Sequence, residues 1–335
     1  MVCMQDMKKE SCSQTTCDLL FYEMKQVMMN AHPQDNVTVG SMIQEDLYSV
    51  LAAMLRQEEE YECHDYLEFD DTKIDETCRT KMTEWVFQVV DCTRLQRETA
   101  SVSMSYLDRF MCTSSPTAKK ARKDRKEYQL VVLTTLYIAT KIFEPFAMDA
   151  SLVSRLSRGV HSEEEIIALE YEILVALQWK VNGPTPLQFV NYLLELLSTS
   201  CQDKALLYEH SHFQTELSIG DYTLMSLRRS VIAVAAILNS LENLPKDSLP
   251  LNERIRYAEV ISMATGLDIF SPVINSVRIR LLDSYSRSSG YPLAQVGILP
   301  IIESKQSTTQ EKKAVIDKSP GCVMKERAIS LELNS

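Results

Sequence analysis

The stretch Leu130-Val-Val-Leu-Thr-Thr-Leu-Tyr-Ile-Ala139 is apolar on nearly every side of the helix that its composition predicts. A helix without a polar face must be enclosed by other helices. Further along the chain, Val231-Ile-Ala-Val-Ala-Ala-Ile-Leu238 has the same character. Each stretch falls on the third of five predicted helices. The sequence therefore predicts an all-α protein built from two successive five-helix units, which amounts to an internal structural repeat.

Apolar residues at helical spacing predict the other helices of both units. The first unit is expected to have helices at about 82–90, 100–111, 127–143, 149–158 and 162–177, and the second at about 186–198, 204–219, 223–243, 252–265 and 272–288. The break between the units is Asn182-Gly183-Pro184. After it, Thr185 and Pro186 supply an N-cap and a proline at the first helical position.

The remaining chain is predicted to flank these units. Residues 1–40 and 291–335 are polar and aperiodic, so we expect both segments to be disordered. Residues 41–72 are expected to form an N-terminal helix, opened by the capping box Ser41-Met-Ile-Gln44, and an acidic linker. The first unit would then occupy residues 73–182 and the second residues 184–290.

Charge and composition exclude several classes of function. The chain has 35 Lys and Arg against 46 Asp and Glu, a net charge of −11, which disfavours direct binding to nucleic acid. Its 8 glycines include no G-x-G, and its 9 cysteines include no C-x-x-C. We therefore expect no nucleotide site, no metal, no cofactor and no disulfide framework. The longest apolar stretch is about half of the ~20 residues that a membrane span needs, so we expect a soluble intracellular protein.

Six segments, in this order, resemble the conserved parts of the cyclin box. They are Cys78-Arg-Thr-Lys-Met-Thr-Glu-Trp85, Tyr106-Leu-Asp-Arg-Phe110, Tyr137-Ile-Ala-Thr-Lys-Ile-Phe-Glu144, Ile167-Ala-Leu-Glu-Tyr-Glu-Ile-Leu174, Pro184-Thr-Pro-Leu-Gln-Phe189 and Leu217-Ser-Ile-Gly-Asp-Tyr222. The resemblance covers about residues 42–290 and implies two tandem cyclin folds. It also implies a regulatory subunit that forms a heterodimer with a cyclin-dependent Ser/Thr kinase, with no catalytic residues of its own.

The resemblance implies which residues contact the kinase. Lys141 and Glu170 match the charged pair with which cyclins contact the kinase, at the start of a mobile helix of the kinase. A lysine ammonium has three donors and can bridge a carboxylate and partner carbonyls. The alternative is that Lys141 complements the dipole of its own helix while Glu170 is a solvated charge. Four apolar residues match positions that pack against the kinase, although helical spacing alone also fits core residues: Ile138, Ile142, Leu174 and Trp179.

Two further sites follow from the same resemblance. Arg79 and Asp108 resemble a structural ion pair between the first two helices of the box. Many cyclins also bind an Arg-x-Leu peptide on the first of these helices, and the matching positions here are Cys78, Lys81, Met82, Trp85 and Gln129. Cys78 stands where Met is usual and Lys81 where an aliphatic residue is usual. A lysine there would repel the arginine of the peptide, so we expect such peptides to bind poorly.

A basic connector precedes the third helix of the first unit. Its charged residues are consistent with a solvated loop, with a nuclear localisation signal or with a contact for acidic partners. If it is a localisation signal, the protein would be found in nucleus and cytoplasm. The basic residues are Lys119, Lys120, Arg122, Lys123, Arg125 and Lys126. Ser115 and Ser319 each precede a proline and are candidate phosphorylation sites for a proline-directed kinase.

Two features suggest a subclass. The stretch 50–59 and the run Leu177-Gln-Trp179 resemble G1-type, D-like cyclins more than mitotic ones, which predicts a role in G1 or at G1/S. The alternative function is that of a transcription-associated protein, which uses tandem cyclin folds to bind a transcription complex or DNA. The acidic charge and the lack of an N-terminal zinc ribbon favour the kinase subunit.

Overall fold

The computed structural model describes residues 41–69, 72–197, 204–244 and 249–288. These residues form twelve α-helices and two short 3₁₀ turns, and no strand occurs among them. The all-α prediction is therefore confirmed. The predictions of disorder for 1–40 and 291–335, and the candidate phosphorylation site Ser319, lie outside the described residues.

The helices follow one another with short connections. Their bounds are α1 Ser41–Glu58, α2 Glu76–Thr93, α3 Arg97–Met111, α4 Pro116–Ala121, α5 Arg125–Phe143, α6 Ala150–Leu156, α7 Glu163–Ala176, α8 Pro186–Glu195, α9 Lys204–Gly220, α10 Arg229–Asn243, α11 Leu251–Thr265 and α12 Pro272–Arg287, with 3₁₀ turns at Glu59–Tyr61 and Tyr222–Leu224. Ser162 and Thr185 each close a capping box with the residue three positions later, so α7 and α8 begin where the sequence predicts.

Helix α5 is the centre of the first hydrophobic core. Every residue from Leu130 to Leu136 is buried, and α3, α4 and α7 pack around the helix. The enclosure predicted from its apolar surface is thus observed. The unpredicted helix in this unit is α4. It forms because the hydroxyl of Ser115 accepts hydrogen bonds from the backbone N–H groups of Thr117 and Ala118, and because Pro116 suits the first helical position.

Helix α10 is the corresponding centre of the second core. It packs against α8, α9 and α12. Two residues of α1, Leu51 and Met54, belong to this second core, so the N-terminal helix is attached to the second unit. The sequence predicts a helix from residue 223, but α10 begins at Arg229. Asp221 accepts a hydrogen bond from the N–H of Thr223 and holds Tyr222–Leu224 in a separate 3₁₀ turn.

Both ends of α10 are held by buried charged side chains from other helices. At its N-terminus, the carboxylate of Glu58 accepts hydrogen bonds from the Ser230 backbone N–H, at 3.0 Å, and from the Ser230 hydroxyl, at 2.6 Å. At its C-terminus, Arg254 donates to the carbonyls of Leu241 and Leu244, at 2.8 and 3.0 Å. An anion at the N-terminus and a cation at the C-terminus both complement the helix dipole.

The connector between the two units is fixed by side chains from α1 and α3. Gln57 donates to the carbonyl of Asn182 at 2.8 Å, and Arg109 donates to the carbonyl of Lys180 at 2.7 Å. The ring of Tyr61 lies so close to Gly183 that a Cβ atom there would overlap the ring. The connector therefore needs a glycine at this position.

A buried ion pair links the first unit to the second. Arg79 of α2 donates to both carboxylate oxygens of Asp108 on α3, at 2.9 and 2.8 Å. Its remaining guanidinium nitrogen donates to the carbonyl of Ile219, near the end of α9, at 2.9 Å. One guanidinium thus holds together α2, α3 and the second unit, and removal of either charged partner would leave the other buried and unpaired.

Candidate partner-binding surface

Lys141 and Glu170 form an ion pair between the C-terminal turn of α5 and the middle of α7. The Lys141 ammonium nitrogen lies 2.6 Å from Glu170 Oε1 and 4.9 Å from the centre of the Tyr137 ring. The side chain of Lys141 is 41% exposed and that of Glu170 is 15% exposed. The hydrogen bond to Glu170 raises the pKa of Lys141, so the lysine stays charged. The exposed ammonium has three donors, which leaves it capacity to bind a partner's carbonyl groups.

Large apolar side chains are exposed on the two helices that carry this ion pair and in the segments that follow those helices. We call the following residues the apolar collar: Ile142, Phe146, Ile167, Tyr171, Val175 and Trp179. Phe146, in the loop after α5, is 86% exposed, and Trp179 is 59% exposed. Soluble proteins seldom expose several large apolar residues together unless the surface binds another molecule. A charged pair and several exposed apolar residues on the same two helices and their following segments are therefore features expected of a surface that binds another protein.

Helix α7 divides its residues between the core and this surface. Ile166, Leu169 and Ile173 face the first core, and Leu177 follows them there. Glu170 lies three residues after Ile167 and four before Leu174, so these three share one outer stripe of the helix. Tyr171 and Val175 form the neighbouring stripe. The helix thus carries Glu170 and part of the collar on the side away from its core stripe.

The backbone after α7 has an unusual conformation. Gln178 and Trp179 have φ values of 54° and 58°, in the left-handed region that few residues other than glycine adopt. The chain is held there because the N–H groups of Gln178 and Trp179 donate to the carbonyls of Val175 and Leu174, both at 2.9 Å. Strained residues of this kind concentrate at functional sites, and here they present the Trp179 ring to solvent.

The structure distributes the expected kinase-contact residues between surface and core. Lys141 and Glu170 are paired, Ile142 and Trp179 are exposed, and Leu174 is half-buried against the first core. Ile138 is 1% exposed and lies inside the first core, so it is not part of this surface. The reason is that the side of α5 that bears Ile138 is enclosed by other helices.

Four residues of the collar were missed at the sequence level. Phe146 follows a proline in the loop after α5. Ile167, Tyr171 and Val175 repeat every four residues beside the core stripe of α7. This second apolar stripe on α7 is the sequence signal that indicates an exposed apolar surface. A helix that packs on one side needs only one core-facing stripe, so a second stripe is left for solvent or a partner.

The positions that match the peptide-docking patch lie along the outer side of α2. Lys81 is exposed, and Cys78, Met82 and Trp85 are half-buried against the first core. Gln129, on α5, is also half-buried. The structure thus places a lysine at the exposed position of this patch, where the sequence predicts repulsion of an arginine-bearing peptide.

The basic connector is folded as α4 and the turn that follows it. Arg122 is buried, donates to the carbonyls of Met111 and Thr113, and stacks on Phe69. It is therefore a structural residue in the folded state. The other five basic residues are exposed: Lys119, Lys120, Lys123, Arg125 and Lys126.

Ser115, the candidate phosphorylation site before Pro116, is half-buried. Its hydroxyl caps α4 and donates to the carboxylate of Glu172 at 2.5 Å. A phosphate at this position would lie beside that carboxylate, so phosphorylation would require the N-terminus of α4 to move away from α7.

In the part of the chain that the structure describes, no three His, Cys, Asp or Glu side chains lie together as metal ligands would. No described helix combines the length and apolar character of a membrane span.

Two tandem helical units, with an ion pair and exposed apolar residues on the first, define the class: an all-helical protein with a surface suited to binding another protein. Comparison with known families identifies it further. Residues 49–182 match the N-terminal domain of cyclins, and residues 184–263 match the C-terminal domain. The chain therefore belongs to the cyclin family, whose members regulate kinases and are not themselves enzymes.

Similar proteins include several mitotic cyclins. The chain is 28% identical to G2/mitotic-specific cyclin-2 of Antirrhinum majus, over 71% of this chain and 52% of that protein. It is 25% identical to G2/mitotic-specific cyclin S13-7 of Glycine max, over 72% of this chain and 91% of that protein. The alignment spans 52% and 61% of the length of two of these relatives, the Antirrhinum protein and cyclin S13-6 of Glycine max.

The fold is also similar to a solved cyclin. A viral cyclin from herpesvirus saimiri superposes with a TM-score of 0.52 at 18% identity, over 70% of this chain and 97% of that chain. At this identity the similarity supports the fold alone.

Proposed function

We propose that this chain is the regulatory subunit of a cyclin-dependent Ser/Thr kinase, which it binds and activates. The observation that supports the proposal is the Lys141–Glu170 pair together with the apolar collar, which the same two helices and their following segments carry. The ammonium of Lys141 would donate to backbone carbonyls of the kinase, and Glu170 would keep it charged and oriented. The collar would bury apolar area against the kinase's mobile helix.

The proposal predicts which substitutions weaken binding. Lys141→Ala leaves Glu170 without its charged partner once the interface excludes water, and Glu170→Ala does the same to Lys141. Each is expected to cost about 2–5 kcal/mol of binding free energy, which is roughly 25-fold or more in Kd. Isothermal titration of the full chain into an inactive monomeric cyclin-dependent kinase measures this loss.

Matched controls separate the interface from general effects. Lys204→Ala removes a surface ion pair with Glu195 at 3.0 Å. This pair lies in the second unit, whereas the collar lies in the first, so the substitution should leave Kd unchanged. Phe146→Ala should weaken binding about tenfold or more as an aromatic anchor, whereas Met263→Ser, at an exposed position on α11, should not. Wild-type affinity for Lys141→Ala with its fold intact would reject this interface.

The cell-cycle phase is a finer question. The sequence favours a G1-type cyclin, whereas the names of the relatives reported above refer to G2 and mitosis. Chain levels in synchronised cells distinguish the two roles. A rise before S phase would support the G1-type prediction, and a rise before mitosis would agree with the relatives.

For localisation, we propose that the exposed basic residues of α4 and the following turn direct the chain to the nucleus as well as the cytoplasm. Replacement of Lys119, Lys120 and Lys123 by Ala should then reduce the nuclear fraction of a fluorescent fusion. An unchanged distribution would favour a solvated connector without a targeting role.

A further inference from the structure

Two cysteines that are distant in sequence meet at the end of α3. Cys63 follows the 3₁₀ turn Glu59–Tyr61, and Cys112 is the residue after the last turn of α3. Their sulfur atoms lie 3.3 Å apart. Both thiols also contact the carbonyl of His64, at 3.4 Å from Cys63 and 3.1 Å from Cys112. We propose that Cys63 and Cys112 form a peroxide-responsive pair that closes to a disulfide.

The two thiols differ in the way that such a reaction requires. Cys63 is 4% exposed, whereas Cys112 is half-buried and in reach of a small oxidant. The hydrogen bond from Cys63 lowers the pKa of Cys112. That hydrogen bond, together with burial, raises the pKa of Cys63. Cys112 is thus the thiolate that reacts first, and Cys63 is the thiol that resolves the product.

The chemistry balances with hydrogen peroxide as the oxidant. The Cys112 thiolate attacks one peroxide oxygen, the O–O bond breaks, and sulfenic acid and hydroxide form. The Cys63 sulfur then attacks the Cys112 sulfur and displaces the hydroxyl group, which leaves with the Cys63 proton as water. The two sulfurs together lose two electrons, and the two peroxide oxygens gain them.

The neighbouring contacts show what a bridge would fix. The segment that carries Cys63 already packs on the last turns of α3. Tyr61 lies on the Arg109 guanidinium, 4.5 Å from its ring centre, and the Tyr66 hydroxyl donates to Asp108 at 3.3 Å. Because these contacts hold both cysteines in place, the bridge needs little movement of the backbone. It would fasten the acidic linker to α3 and so stabilise the chain.

Peptide mapping of the full chain after hydrogen peroxide treatment tests the proposal without any substitution. The expected product is a linked peptide pair that contains Cys63 and Cys112, reversible by dithiothreitol. The bridge closes a long loop, so oxidation should also raise Tm by roughly 5 °C. Bridges formed mainly by other cysteines, or no Cys63–Cys112 link while other thiols oxidise, would overturn the proposal.

Three variants assign the two roles. In Cys63→Ser, Cys112 should accumulate as a sulfenic acid that dimedone traps. In Cys112→Ser, the linked peptide and the rise in Tm should both disappear. Cys92→Ser removes an exposed thiol on α2 and is the matched control, which should behave as the wild type. A link that persists without Cys112, or dimedone labelling of Cys92 before Cys112, would contradict the assignment.

Discussion

At the scale of single residues, the site at Lys141 depends both on local sequence and on tertiary structure. The lysine lies in the last turn of α5, where a cation suits the helix dipole in any protein. Its role in an ion pair needs Glu170, whose carboxylate oxygen is held by another helix at 2.6 Å from the lysine nitrogen. Helical spacing alone cannot place these two charges together. A resemblance between separated motifs did predict the pair.

His161 is a second residue whose properties depend on tertiary structure, here through its pKa. It is buried, and among the described residues neither ring nitrogen has a hydrogen-bond partner. Burial lowers its pKa below the usual 6.5, against the opposing charges of Glu165 and Glu127, while Lys126 acts in the same direction as burial. The folded chain therefore binds this proton more weakly than the unfolded chain does.

This predicts a pH dependence of stability. Below about pH 6.5 the unfolded chain gains protons that the folded chain does not, so the free energy of unfolding decreases as the pH falls. In His161→Leu, which loses no side-chain hydrogen bond, the decrease between pH 7 and pH 5 should be smaller. Urea unfolding at several pH values measures it. His64→Leu, at an exposed histidine, is the control, and equal pH dependence in all three proteins would contradict the assignment.

At the scale of elements, α10 illustrates what periodicity predicts and what it omits. The apolar run 231–238 predicts a buried central helix, and that helix is observed. Its first residue and its partners were not predictable, because Glu58 lies 172 positions before Ser230 in the chain. Pairings at such separations depend on the whole fold. The short helix α4 was not predictable from periodicity, because its six residues are too few to show a repeating apolar stripe.

The Glu58 cap predicts a large effect of one substitution on stability. Glu58→Ala leaves the buried N–H and hydroxyl of Ser230 without their acceptor, so the free energy of unfolding should fall by about 2–3 kcal/mol. Chemical denaturation monitored by circular dichroism measures this. Glu59→Ala, which removes an exposed contact to Arg228 at 3.5 Å, should cost less than about 0.5 kcal/mol. Equal costs for both variants would show that the cap contributes little.

The connector between the units offers a second prediction at this scale. Gly183→Ala places a methyl group against the Tyr61 ring, and the resulting strain should lower the free energy of unfolding by about 1–3 kcal/mol. The double variant Gly183→Ala with Tyr61→Ala should recover part of that loss, since the clash is removed. If the single variant is as stable as the wild type, the close approach is not required.

At the scale of the whole molecule, the two units carry different features. The first carries the ion pair and the collar. The second is attached to it through α1, the fixed connector and Arg79. The architecture and the family were predictable because apolar runs, caps and motifs are local signals. The collar was only partly predictable, because exposure of Phe146 and Tyr171 depends on how the helices pack.

We propose above all that the Lys141–Glu170 surface binds and activates a kinase. The most direct measurement is phosphorylation of a Ser-Pro peptide by an inactive monomeric cyclin-dependent kinase as purified full chain is added. We expect activation by the wild-type chain and by Lys204→Ala, and a loss of roughly 25-fold or more in apparent affinity for Lys141→Ala. No binding and no activation by the folded wild-type chain would contradict kinase regulation and favour a transcription complex as the partner.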